Sequence, residues 1–464
     1  MDAILAAMSP TFLLALCTTI QNANVPKVET LRGAHFEVVA HFDGRKLAEE
    51  ALVAAEAVAI PLTPIFGPVE LARRGAVITE PRMPIHLFWN PAEFAEEAQR
   101  SPPTNYASEF AFTSATTRAA YVLITPASVG NALGATGLPV HTKLAVARQA
   151  AELWAHRASP LAARWPYWFL EGGATYAAEE ACIAKGFIQS RLEYPASSSL
   201  HLRTKQLLAA SGLPNLFAFV DGFPGGLTND ERRAVASQLF RFLKEPAHAK
   251  VIETVAYAAR VTKQDDVAEA VSRVLRSVVG DAQAQGRLEA SFDTWLRGQV
   301  PAWEELHGAL WPVGDTWIQA AVSVNAIAWR ADVSALERYE ITGETAFFPA
   351  EHRQSNVLLA RTEHTFVAVA FVADHGVDVL EFDARRPESE RWKKLGESPI
   401  EAVKEGRFIP FKIVANGKAI EVWIDDKPVL SLADCGTALA GGWGLGVYQG
   451  SCCAWRNLGF KALP

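Results

Sequence analysis

What this sequence lacks narrows it first. Nowhere do lysines and arginines run together as they would to track a phosphate backbone, and 44 basic against 51 acidic residues leave a net charge of -7. Nucleic acid is therefore not the expected partner. The lack of a basic amphipathic stretch argues equally against docking on anionic membranes. Cysteine is scarce: Cys17, Cys182, Cys435, Cys452 and Cys453 are the five in 464 residues, and none has zinc-finger spacing. Two states stay open for them, a disulfide from Cys435 to Cys452 or Cys453 in an oxidising compartment, or free buried thiols. No apolar run is long enough for a transmembrane helix. The run from Ala3 to Cys17 has the length of a signal-peptide core, although no Lys or Arg precedes it and Asp2 is acidic. The expectation is an atypical leader over 1–30 and a secreted, periplasmic or cell-envelope protein. No G-x-S-x-G, P-loop or dinucleotide fingerprint occurs.

What is present is an ordinary globular balance, 50% hydrophobic and 20% charged, in a chain long enough for two or three domains. His35–Ala40, Pro84–Trp89 and Ala119–Ile124 alternate as strands do, whereas Arg45–Ala59, Lys143–Ala158 and Glu171–Lys185 have helical spacing. From Thr204 to Leu310 the pattern is nearly all helical, with apolar stripes such as Val235, Leu239, Phe242 and Leu243. Trp303–Gly314, with Pro312 and Gly308, reads as a hinge. Beyond it come short strands at Thr365–Val372, Val377–Phe382, Phe411–Ala415, Ile420–Ile424 and Trp443–Tyr448, with Asn416-Gly417 as a hairpin signal. The fold class expected is multi-domain α+β: a small sheet and helices over 31–310, then an all-β sandwich over 315–464.

The informative stretch is Arg148–Glu180, RQAAELWAHRASPLAARWPYWFLEGGATYAAEE. It resembles the gluzincin (peptidase-MA-like) metallopeptidases, whose second motif helix opens with a pattern such as P-x-W-x-x-E-G-x-A-x-Y. Pro166 to Tyr176 matches it. The resemblance implies a zincin-like small sheet plus helical domain over about 33–310, with Glu171 at the third zinc ligand. The first half of the motif departs. HExxH needs two histidines at i and i+4 on one helix face and a Glu general base between them. The best register is Glu152-Leu153-Trp154-Ala155-His156. His156 then survives, Glu152 replaces the first histidine, and Leu153 occupies the general-base position, where it accepts no proton. No catalytic residue is assigned. Two readings stay open for the metal: Glu152, His156 and Glu171 hold zinc or a harder ion, or the pocket is empty and no cofactor is bound. The drift of the ligand set favours the second.

The later segment resembles concanavalin-like, laminin-G-type sandwiches, among them the 3-keto-disaccharide hydrolase type. The matching runs are Phe411–Val429, Gly442–Tyr448 and Trp455–Leu458. The resemblance implies carbohydrate or extracellular-protein partners, with Trp392, Trp423 and Trp443 as stacking candidates. The expectation is thus a pseudopeptidase with a carbohydrate- or protein-binding sandwich. The alternative is an active secreted hydrolase, acting as a peptidase with altered metal ligands or on glycans through the sandwich.

Overall fold

The computed structural model describes residues 28–464, apart from 70–72, 75–76, 79, 102–110, 115, 125–136, 210–215, 222–226, 263–265, 307–308, 314–315, 322–324, 332, 334–335, 349, 351 and 405. Cys17 and the expected leader lie outside the described residues, except for the end of the leader range. In chain order the first module holds β1 (Glu29–Arg32), β2 (Phe36–Ala40), α1 (Arg45–Ala57), α2 (Ala59–Phe66), β3 (Arg73–Arg74), β4 (Val77–Ile78), β5 (Met83–Phe88), α3 (Pro91–Arg100), β6 (Ala111–Ser114) and β7 (Ala119–Leu123). It continues through helices α4 (Val140–Ala158), α5 (Tyr167–Ala184), α6 (Pro195–Ala209), α7 (Leu216–Asp221), α8 (Asn229–Lys244), α9 (Ala249–Val261), α10 (Val267–Val279) and α11 (Ala282–Gly298).

Among the described residues, one sheet has the order β1-β2-β5-β7-β6, with β2, β5 and β7 parallel and β1 and β6 antiparallel edges. Its β2 shows why: Phe36, Val38 and Ala40 are buried and the residues between are half-buried, the period-2 pattern of a sheet with one face in the core. Helix α4 packs across that face and α5 packs on α4. Glycine sets how close the next layer comes. A Cβ on Gly172 would meet the Ala236 carbonyl oxygen at 2.5 Å and Phe240 Cβ at 2.9 Å. Only glycine lets α5 lie this near α8. A capping box starts α8, with Thr228 and Glu231 exchanging bonds. Helix α5 begins four residues earlier than its periodicity suggests, because Pro166 precedes its first turn, where a missing N–H costs nothing.

The second module is a sandwich of two sheets. Its strands are β8 (Trp303–Leu306), β9 (Ala309–Val313), β10 (Thr316–Ala320), β11 (Ala326–Arg330), β12 (Arg338–Phe347), β13 (Gln354–Leu359), β14 (Thr365–Val372), β15 (Gly376–Asp383), β16 (Trp392–Pro399), β17 (Ile409–Asn416), β18 (Ala419–Ile424), β19 (Lys427–Leu432), β20 (Trp443–Val447) and β21 (Cys452–Ala462). One sheet runs β16-β15-β14-β13-β20-β11-β8 and the other β19-β18-β17-β12-β21-β10-β9. Val357, Val369, Val379 and Leu445 from the first meet Ile341, Ile413, Val422 and Trp455 from the second in a common core. The expected hinge is corrected here. Trp303–Leu306 and Ala309–Val313 are strands paired to β11 and β10, so the sandwich begins at Trp303. Strand β8 is also tied to the helices: the buried Ser198 hydroxyl of α6 donates to the Trp303 carbonyl oxygen at 2.6 Å and accepts from its N–H at 2.9 Å. Cys182, Cys435, Cys452 and Cys453 are free and buried, so the disulfide alternative is not realised.

Candidate functional site

The sharpest chemistry in the first module gathers where α4, α5, α8 and edge strand β6 meet. Glu171, in the first turns of α5, has no exposed surface. Its Oε1 accepts from Arg148 Nη1 at 2.5 Å and from Arg233 Nε at 3.0 Å. Arg148 stands on α4 and Arg233 on α8, the helix that Gly172 admits. Glu152, one turn beyond Arg148, is buried as well, and its Oε1 finds no hydrogen-bond partner. Burial pushes its carboxyl up to about 7; Arg148 pulls the other way and the neighbouring Glu171 charge adds to the rise. Gln149 faces β6, where the Thr113 hydroxyl donates to its Oε1 at 2.6 Å. A hydrogen bond of Glu152 with Thr113 offsets part of the carboxyl's rise.

The residues that converge on Glu171 are thus Arg148 and Glu152, at i and i+4, with Gln149 between them. The expected register placed Glu152 and His156 there instead. Side chains on a helix lean toward its N-terminus, so the turn that reaches Glu171 is the one before His156. His156 lies a further turn along α4, half-buried, and burial alone lowers its pKa. Leu153 is buried in the core. What the site can do follows from charge. Both guanidinium groups sit on Glu171, whereas Glu152, in the same turn as Arg148, keeps one oxygen without a partner and a carboxyl raised to about 7. The signal was visible in the sequence as Arg148 and Gln149 one turn upstream of the register chosen.

The sandwich distributes its tryptophans unequally. Trp443 is 3% exposed and fills the core against Trp303 and Phe460. This corrects its reading as a stacking platform, since neither ring face reaches solvent. Trp423 on β18 is half-buried with Lys412 Nζ 4.0 Å from its ring centroid. Trp392 is half-buried on the outer face of β16, packed against Phe366 at 5.6 Å and Phe382 at 5.0 Å. Along that face the β15–β16 register pairs Leu380 with Lys394 and Asp378 with Glu397. Lys394 Nζ reaches Glu397 at 2.6 Å and Asp378 at 3.2 Å, and His375 Nε2 lies 3.3 Å from Asp378. His375, Asp378 and Glu397 are the one group of three metal-type ligands found together among the described residues.

No protein-family model matches the chain. No curated protein matches it either. Among solved structures it is similar to the carbohydrate-binding module CBM66 from Bacillus subtilis, at 13% identity and TM-score 0.30 over 35% of this chain and 98% of that one. It is also similar to the carbohydrate recognition domain of Emp46p, at 7% identity and TM-score 0.28 over 35% of this chain and 89% of that one. The galectin LEC-6 from Caenorhabditis elegans is a further similar structure, at 11% identity and TM-score 0.23 over 31% of this chain and 96% of that one. At these values the likeness concerns a β-sandwich fold over about a third of the chain and nothing finer.

Proposed function

We propose that this is a carbohydrate-binding protein whose sandwich takes a sugar on the outer face of β15 and β16. What supports the reading is one juxtaposition on this chain, independent of likeness to other sandwiches. A half-exposed indole, Trp392, is held in place by Phe366 and Phe382, and next to it Lys394, Asp378, Glu397 and His375 offer donors and acceptors. A pyranose has one apolar C–H face and a rim of hydroxyls, and such a surface serves both at once. Glycan-array binding by the full chain, repeated with Trp392→Ala and Asp378→Ala, tests it. Loss of binding in both variants is expected; undiminished binding would reject the site.

For the helical module we infer a peptidase-like layout that serves as a scaffold rather than a hydrolase. The supporting observation is the pair Arg148 and Arg233 on Glu171, with Gln149 where a proton acceptor would be needed. Mass-spectrometric metal content of the purified protein, with and without added zinc, tests this beside Glu171→Ala. One zinc per chain, lost in the variant, would overturn it. No helix among the described residues is long and apolar enough to cross a membrane. Export is part of the proposal and is tested by whether residues 1–30 are removed in the mature protein.

A further inference from the structure

Two cavities of the helical module share a wall, and they differ in character. The larger, about 750 Å³, is an apolar trough: Leu52, Val53 and Ala57 of α1, Ile60 of α2, and Ala181 and Ala184 of α5. Its lip is unusual for a monomer surface. Ile60 is 85% exposed, and Val53 beside it is 46% exposed. The smaller cavity, about 390 Å³, is polar, with Arg191, Gln238, Lys244 and Gln299 among its walls. Tyr176, Glu180 and Lys244 belong to both, so the two spaces meet at that wall.

The charges at the junction sort by their partners. Glu56 accepts from the backbone N–H groups of His35 and Phe36 and from His35 Nδ1. Glu180 is paired with Arg191, and the buried Glu179 is paired with Arg241. Among the described residues no carboxylate pairs with Lys244, whose ammonium lies over the Tyr176 ring at 5.7 Å. An uncommitted ammonium stands where an apolar trough opens into a hydrogen-bonding chamber.

We propose that this double cavity binds an amphiphile, with its alkyl chain in the α1–α2–α5 trough and an anionic, hydrogen-bonding head in the polar chamber against Lys244. Ligand sites of a few hundred cubic ångströms, mostly apolar with a few convergent polar groups, fit such molecules. Head charge supplies specificity and the chain supplies affinity. A free fatty acid and a single-chain anionic phospholipid share this chemistry.

The test is titration calorimetry on the full chain with laurate and with lauroyl lysophosphatidylglycerol, both below micelle formation. Dodecanol and dodecyltrimethylammonium are the head-group controls. At least one anionic amphiphile should bind at one site per chain, tenfold or more tighter than dodecanol, and the cation should not bind. Which of the two binds identifies the source. Lys244→Gln should reduce affinity to that of dodecanol. Ala184→Trp, at an exposed position of the trough, should abolish binding while leaving the melting temperature unchanged. Failure of both anions to bind, equal binding of laurate and dodecanol, or binding indifferent to Ala184→Trp would each overturn the proposal.

Discussion

Replacing Glu152 with glutamine should stabilise the protein at alkaline pH and leave it little changed in mild acid. The buried carboxyl of Glu152 titrates at about 7 in the folded chain, against an ordinary 4.5. Its folded pKa is raised, so folding favours the protonated form. The stability tied to this group is complete below about 4.5 and is lost as pH rises through about 7. A shift of this size corresponds to about 3 kcal/mol between the two limits. Glutamine is neutral at every pH and keeps the shape, so Glu152→Gln should lie within about 1 kcal/mol of the parent at pH 5 and exceed it by about 3 kcal/mol at pH 8.5. In a module of this size that is a rise on the order of 5 °C in melting temperature. Calorimetric scans of both proteins from pH 5 to 9 measure it, and their difference cancels the other titrating groups. A variant less stable at pH 8.5 than at pH 5, relative to the parent, would refute the reasoning. It would mean that Glu152 is charged and usefully paired with Arg148 in the fold.

Glu171→Gln should cost about 3–5 kcal/mol in urea unfolding, since it leaves two largely buried guanidiniums facing a neutral amide; a loss below about 1 kcal/mol would show the arginines to be solvated. Gly172→Ala pushes a methyl into the Ala236 carbonyl oxygen and should cost about 1–3 kcal/mol through strain between α5 and α8, read from the same curves. Trp443→Ala should cost about 3–5 kcal/mol by opening the sandwich core, whereas Trp392→Ala should cost less and act on glycan binding; equal destabilisation by both would contradict their placement. Asp426 adopts φ 60° in the two-residue turn between β18 and β19, so Asp426→Gly should raise the sandwich's stability by about 0.5–1 kcal/mol, seen as a higher denaturant midpoint.

Much of the fold was legible because its signals are local. The apolar run Thr365–Val372 coincides with strand β14 to the residue, and Lys143–Ala158 falls within α4, whose start the structure moves to Val140. The Asn416-Gly417 signal was a hairpin signal, and the structure sets its loop one residue later: Asn416 pairs with Ala419, and Gly417 carries φ 62°. What failed was Trp303–Gly314. Its prolines and glycines are turn formers by propensity, yet Pro312 sits opposite Trp317 in a strand pair. Edge strands tolerate proline because one side of their ladder needs no donor, and β9 is the last strand of its sheet. A window of local sequence cannot report that a segment is at an edge.

The site was harder for a related reason. Glu171 stood out in the sequence by its motif, but its partners depend on which turn of α4 faces it, and that is a tertiary fact. Histidine drew the register toward His156 because imidazole is the residue type a metal reading seeks. The structure answers with arginine. A divalent ion among carboxylates and two guanidiniums among carboxylates satisfy the same electrostatic need, two positive charges for two buried acids. They differ in what is left over. A metal keeps an open position for water and lowers its pKa, whereas a guanidinium has its lone pairs delocalised and offers only donors. Arg148 and Arg233 tie α4 and α8 to Glu171 on α5. With Glu152 at about 7, the cluster of Arg148, Arg233, Glu171 and Glu152 is near neutral above that pH and carries one net positive charge below it. The acidity of one buried carboxyl then sets the charge of that cluster.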